Sequence, residues 1–178
     1  MHNGHLQVID NCIEKLGLDE VLVVVSPLNP LKRTPLIDSY HRLEMTKVAF
    51  AEKPKAIVSD IEFGMPQPSY TIDTLKALIK KFPNKRLALI IGQDHVPHFH
   101  LWKDSTQILD LIEVYAHTRD LSFDFTPSES VHKISLLTFD SIPISSTQVR
   151  ELIAEMKPFE HLVPTKVARY IHQNRLYR

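Results

Sequence analysis

Val21-Leu22-Val23-Val24-Val25 is a short run of apolar, mostly β-branched residues, which is typical of a parallel strand covered by helices on both faces. Apolar residues recur at helical spacing just before this run, at Leu6, Ile9, Ile13 and Leu16. Gly17 then stands where a left-handed C-terminal cap is expected. Residues 6–25 therefore predict a helix followed directly by a buried parallel strand.

The same alternation continues outward along the chain. Strands are predicted at 56–58, 87–91, 112–116 and 133–139. Helices are predicted at 39–51, from an N-cap at Thr71 to Phe82, at 105–110, and from Ser146 and Pro164 onward. This order predicts the α/β class with a doubly wound parallel sheet, whose ligands bind beyond the carboxyl ends of the strands. We expect a single domain over residues 1–178.

The composition is that of an ordinary globular protein, with 43% hydrophobic and 24% charged residues in a chain of 178. Lys plus Arg and Asp plus Glu number 21 each, so no overall field favours nucleic acid or a membrane surface. No apolar run approaches the roughly 20 residues that a membrane span requires. The single Cys12 cannot form an internal disulfide, and no leader pattern is recognisable, so we expect a cytoplasmic protein.

His2-Asn3-Gly4-His5 places two imidazoles one helical turn apart, so both can face one ligand if a helix begins here. Gly4 allows a ligand or another backbone segment to approach closely. Imidazole is suited to phosphate oxygens, because it donates a hydrogen bond when neutral and neutralises charge when protonated. The alternative is a pair of solvated histidines at a frayed terminus.

Ser145-Ser146-Thr147, followed by Arg150, combines capping hydroxyls, free amide donors and a guanidinium at a predicted helix start. These groups are suited to binding phosphate. The alternative is an ordinary N-cap with a surface arginine. Histidines at 95, 98 and 100 fit no common zinc spacing, so no protein-held metal is predicted.

Together, the two motifs resemble the H-x-G-H nucleotidyltransferases, which have a Rossmann-like fold and a late I-S-S-T-x-x-R segment. Three intervening segments are similar to those of bacterial nicotinate-nucleotide adenylyltransferases: Pro27 to Lys32, Pro68 to Leu75, and Gly92-Gln93-Asp94 followed by Trp102. The resemblance extends over nearly the whole chain and keeps the order of the family. It implies adenylyl transfer from ATP, with Mg²⁺ on its triphosphate, to nicotinate mononucleotide, giving deamido-NAD and pyrophosphate.

The resemblance also implies roles for individual residues. On the ATP side, His2, His5 and Arg150 would be catalytic contacts to phosphate, and further ATP contacts would come from Gly4, Lys32, Asp94, Ser145, Ser146 and Thr147. Asp94 would accept hydrogen bonds from ribose hydroxyls, unless it only caps its loop. On the acceptor side, Tyr70 and Thr71 would bind the carboxylate of nicotinate at a helix start. Trp102 would stack on the pyridine ring, unless it is a half-buried core residue.

The sequence departs from the family pattern at its beginning. Family members place a strand and a G-x-F-x-P segment before H-x-G-H, whereas this sequence starts with Met1 at that junction. We therefore expect the first strand of the fold to be missing, either because a longer protein exists or because this is a truncated product with impaired activity; the first explanation is favoured. Two functional alternatives stay open: an adenylyltransferase acting on phosphopantetheine, and a nucleotide-binding domain without catalysis. Oligomeric state is left undetermined.

Overall fold

A computed structural model describes residues 1–28, 37–118, 133–140 and 142–178. Its residues group into two compact units: Met1–Gln67 with Ser141–Arg178, and Pro68–Asp140. The predicted single domain stays a prediction. Helices alternate with parallel strands within each unit, so the predicted α/β class is confirmed.

In its described residues, the first unit contains a two-stranded parallel sheet and four α-helices. Its strands are β1 (Val21–Val24) and β2 (Ala56–Ser59), which pair in register from Val21 with Ala56 to Val24 with Ser59. Its helices are α1 (Asn3–Leu16), α2 (Ser39–Phe50), α5 (Ser146–Ala154) and α6 (Thr165–Gln173). The 3₁₀ segments Ile61–Gly64 and Glu160–Leu162 also belong to this unit.

The core of this unit forms where one apolar face of each of three helices meets the others. The cluster includes residues of α2, α5 and α6, among them Met45, Phe50, Val149, Ile153, Val167 and Ile171. Met1 and Leu6 at the start of α1 pack against the same cluster. The core therefore fixes the N-termini of α1 and α5, where both predicted phosphate motifs lie.

Helix α1 ends as its sequence predicts. Gly17 adopts a left-handed conformation with φ of 61°, which costs glycine little because it has no Cβ. Cys12 on the same helix is buried, and burial raises the pKa of its thiol to about 11. The thiol is therefore protonated at neutral pH and is a core side chain.

In the described part of the second unit, three parallel strands form a sheet in the order β3-β4-β5. Its strands are β3 (Ala88–Gly92), β4 (Glu113–Thr118) and β5 (Ile134–Thr138), and its helices are α3 (Thr71–Lys81) and α4 (Ser105–Leu111). The apolar face of α3 and the strands bury a core centred on Ile72, Val96, Phe99, Ile108 and Val114. Gly92, the last residue of β3, lies in register with His117 near the end of β4.

Two details of this unit differ from the sequence prediction. Tyr70 is the N-cap of α3, and the predicted N-cap, Thr71, is instead the first helical residue. Residues Gln93–Leu101 form a 3₁₀ segment that periodicity did not indicate. Pro97 lies inside this segment, and a proline, which lacks an N–H group, is unsuited to the interior of a regular α-helix.

No helix in the described part of the chain is both long and apolar enough to cross a membrane.

Candidate active site

The two histidines of H-x-G-H lie side by side at the start of α1. His2 is the N-cap in an extended conformation, and the centroids of the His2 and His5 rings are 3.8 Å apart. The N–H of His2 donates to Nδ1 of His5 over 3.4 Å, a long hydrogen bond. A neutral His5 that accepts at Nδ1 carries its proton on Nε2, where it can donate to an anion. A helix thus begins at this motif, which is the condition under which both imidazoles can face one ligand.

Gly4 lets two groups approach α1 closely. A Cβ at this position would lie 3.1 Å from Nδ1 of His2 and 3.3 Å from the carbonyl oxygen of Ile142. The N–H of Ile142 in turn donates to Oε1 of Gln7 over 2.7 Å. The segment that leads into α5 is thereby held against the first turns of α1.

The start of α5 presents hydroxyl groups, amides and a guanidinium. Ser145 is the N-cap, and its Oγ accepts from the N–H of Gln148 over 3.0 Å. Ser146 and Thr147 are exposed, and helix geometry gives their N–H groups no acceptor within α5. A guanidinium nitrogen of Arg150 donates to Oγ1 of Thr147 over 3.0 Å. Of the three predicted capping hydroxyls, only that of Ser145 caps the helix.

Arg150 lies close to the start of α1. Its guanidinium is near enough to the backbone of Met1 for an electrostatic interaction. Burial raises the pKa of Tyr177, and the charges of Arg150 and Arg42 oppose that rise. One region of the first unit thus contains two imidazoles, a guanidinium and free helix amides, a set suited to a polyanion.

Arg42 lies on α2 in the first unit, and the sequence analysis assigned it no role. Its guanidinium donates to the carbonyl oxygens of Ser26 over 2.6 Å and Pro27 over 2.5 Å. It thereby fixes the backbone that follows β1. The predicted phosphate contact Lys32 lies outside the described residues.

In the second unit, Asp94, the residue predicted to bind ribose, lies just beyond the carboxyl end of β3. Asp94 is 79% exposed, so its carboxylate is open to a ligand. A Cβ at Gly92 would collide with Oδ1 of Asp94 and approach Nε2 of His117 to 3.6 Å. Gly92 therefore leaves the space that the Asp94 carboxylate occupies.

His117 was missed by the sequence analysis, although its position at the end of a predicted strand was an available signal. Its ring stacks on Phe139, with centroids 5.9 Å apart and planes 15° apart. The neighbouring Thr118 donates a hydrogen bond to the side chain of Gln93. These side chains lie at the sheet edge that also carries Asp94.

The predicted pyridine-binding residues also lie in the second unit. Trp102 packs against Phe99, with ring centroids 5.1 Å apart, and meets His95 edge-on at 5.7 Å. Its Nε1 is buried and finds no acceptor among the described residues. Tyr70 caps α3 through its backbone, since its carbonyl oxygen accepts from Asp73 and Thr74. The helix start therefore leaves the amides of Thr71 and Ile72 as donors for an anion.

The two units differ in the chemical groups that they present. The first has groups suited to phosphate, and the second has the carboxylate of Asp94, the ring of Trp102 and the start of α3. These are the groups of an enzyme that handles nucleotides, and the fold and motifs define the class of nucleotidyltransferases. The family model described as cytidylyltransferase-like matches residues 1–152.

The curated relatives narrow the class further. The chain is 38% identical to a protein of Flavobacterium psychrophilum named "probable nicotinate-nucleotide adenylyltransferase", over 100% of this chain and 93% of that protein. It is 33% identical to the nicotinate-nucleotide adenylyltransferase of Bacillus subtilis, over 99% of this chain and 92% of the relative. The chain belongs to the nicotinate-nucleotide adenylyltransferase family.

A solved structure supports the fold. The nicotinic acid mononucleotide adenylyltransferase of Plasmodium falciparum, in complex with NaAD, superposes with a TM-score of 0.81 at 19% identity. The match covers 99% of this chain and 91% of that chain. The predicted nucleotidyltransferase fold is thereby confirmed.

Proposed function

We propose that this chain transfers the adenylyl group of ATP to nicotinate mononucleotide, giving deamido-NAD and pyrophosphate in NAD biosynthesis. The observation that carries the proposal is full-length similarity to adenylyltransferases of this name, in a chain whose H-x-G-H and I-S-S-T-x-x-R motifs both lie at helix starts.

In the proposed reaction, a 5′-phosphate oxygen of nicotinate mononucleotide attacks the α-phosphorus of ATP. The bond between that phosphorus and the bridging oxygen to the β-phosphate breaks, and pyrophosphate leaves with the bond's electron pair. No covalent intermediate with the enzyme is needed. The protein's contribution is positioning and stabilisation of charge that develops on phosphate oxygens.

The first unit supplies the groups that would stabilise the negative charge on the phosphate oxygens. We assign His2, His5 and Arg150 to contacts with the phosphates that react. The triphosphate would also contact the helix start of α5 and the backbone near Gly4, with Ser145, Ser146 and Thr147 as further donors. Lys32 remains a proposed phosphate contact outside the described residues.

Magnesium is proposed to enter on the triphosphate of ATP, where it would neutralise charge. Among the described residues, no three His, Cys, Asp or Glu side chains are grouped so that they could hold a metal ion.

The second unit supplies the proposed recognition of ribose and pyridine. Exposed Asp94 can accept two hydrogen bonds from adjacent hydroxyls. Trp102 offers a flat ring already held by His95 and Phe99, and the first amides of α3 next to Tyr70 and Thr71 offer donors to a carboxylate. The cytoplasmic location predicted from the sequence stays a prediction.

Pyrophosphate release from ATP tests the proposal when three acceptors are compared: nicotinate mononucleotide, nicotinamide mononucleotide and phosphopantetheine. We expect the highest kcat/KM with nicotinate mononucleotide. Preference for phosphopantetheine would replace the proposal with the alternative adenylyltransferase activity. Binding of ATP without pyrophosphate release from any acceptor would support a nucleotide-binding domain without catalysis.

A further inference from the structure

Lys103, which directly follows Trp102, makes two contacts at the start of α3. Its Nζ lies 2.9 Å from Oδ2 of Asp73 and 4.7 Å from the centroid of the Tyr70 ring. The hydrogen bond to Asp73 raises the pKa of Lys103 above its ordinary value, so the ammonium stays charged through the neutral range. The ammonium of Lys103, the residue after Trp102, thus contacts both the N-cap residue of α3 and the first turn of that helix.

Asp73 has opposite effects on the helix and on an acidic ligand. A carboxylate in the first turn stabilises the partial positive charge of the helix N-terminus. The same negative charge repels a second carboxylate that approaches the amides of Thr71 and Ile72. A nicotinate ring carries such a carboxylate, whereas a nicotinamide ring carries a neutral amide.

We propose that Lys103 is a specificity-determining residue that favours the acidic over the neutral pyridine nucleotide. This inference rests on the proposed function. The ammonium neutralises Asp73, so the start of α3 keeps a net attraction for the ring carboxylate.

The size of the effect is limited by solvent. The side chains of Lys103 and Asp73 are 44% and 41% exposed, so water and salt screen their charges. An exposed ion pair and a cation–π contact are each modest, so we expect an effect of about 5-fold on binding.

The test uses Lys103→Met, which keeps length and apolar bulk while it removes the charge. Trp102 is the only tryptophan of the chain, so its fluorescence reports pyridine binding without catalysis. For nicotinate mononucleotide, we expect Kd and KM to rise about 5-fold. For nicotinamide mononucleotide and for ATP, we expect changes below about 2-fold, because neither interacts with this charge through a ring carboxylate.

Three variants serve as controls. Lys103→Arg keeps the charge and should retain most of the preference. Lys133→Met breaks another exposed ion pair of the same unit, with Asp110 at 2.6 Å, and should leave both pyridine nucleotides unaffected. Asp73→Asn combined with Lys103→Met removes the repelling carboxylate as well, and should restore most of the affinity for nicotinate mononucleotide.

Equal weakening of both pyridine nucleotides by Lys103→Met would overturn the inference, because it would indicate loss of packing instead of charge. Unchanged binding of both would overturn it too. In either case, wild-type pyrophosphate release with nicotinate mononucleotide would leave the proposed function intact. A wild-type protein that neither binds nor adenylylates nicotinate mononucleotide would contradict both.

Discussion

The starts of α5 and α3 are both suited to anions, yet they differ in the charge of their first turn. The first turn of α5 contains no acidic residue, and Arg150 adds a cation on the next turn. The first turn of α3 contains Asp73, whose charge is offset by Lys103 from another segment. In the proposed site, this difference would suit the start of α5 to a polyanion and the start of α3 to a single carboxylate.

The start of α1 extends this comparison, because it presents imidazoles with no acid in its first turn. We expect His5→Ala to lower kcat by about 100-fold or more, since this is the usual cost of removing one donor to charge in the transition state. Steady-state pyrophosphate release measures the loss. The exposed His161→Ala is the matched control and should retain wild-type turnover. Unchanged turnover of His5→Ala would remove His5 from the catalytic set.

Arg150→Met tests the polyanion side of the comparison directly. Hydrogen bonds to charged groups contribute about 1.5–3 kcal/mol, so kcat/KM for ATP should fall about 10- to 100-fold. Binding of nicotinate mononucleotide to the free enzyme, followed by Trp102 fluorescence, should change little. Arg169→Met removes an exposed arginine of α6 and should leave both measurements near wild type. An equal loss of affinity for both substrates would argue against separate roles for the two helix starts.

Trp102→Ala tests the ring-binding side. Loss of a stacked aromatic contact costs about 1 kcal/mol beyond burial, so KM for nicotinate mononucleotide should rise about 5-fold, and more than KM for ATP. Trp102→Phe keeps a flat ring and should recover most of the affinity. Equal changes in both Michaelis constants would indicate a structural tryptophan, held by Phe99 and His95 as part of the core.

Sequence patterns predicted the α5 side of this comparison better than the α3 side. Ser145 was predictable because serine is a preferred N-cap and Arg150 follows at a fixed helical distance. The position of Tyr70 as the N-cap of α3 was not predictable, because tyrosine is a poor capping residue and the side chain of the adjacent Thr71 is better suited to capping.

The contact between Asp73 and Lys103 was beyond sequence reasoning for another reason. Thirty positions separate the two residues, and no periodicity relates them. Only the folded second unit brings the segment after Trp102 to the first turn of α3. The strand-end position of His117 was predictable, whereas its stacking on Phe139 required the fold.

Ser145→Ala is the smallest change and separates the structural from the catalytic role of the α5 start. Loss of an N-cap hydrogen bond should lower the free energy of unfolding by about 1 kcal/mol, measured by urea denaturation. The neighbouring Ser146→Ala is the matched control for stability, because that hydroxyl makes no cap hydrogen bond to Gln148. If Ser145 mainly shapes the helix start, kcat/KM for ATP should fall by less than about 3-fold, because Arg150 and the amides of α5 remain. A large kinetic loss with unchanged stability would instead place the Ser145 hydroxyl in direct contact with phosphate, and the α5 start would then bind its anion through its cap as well as its cation.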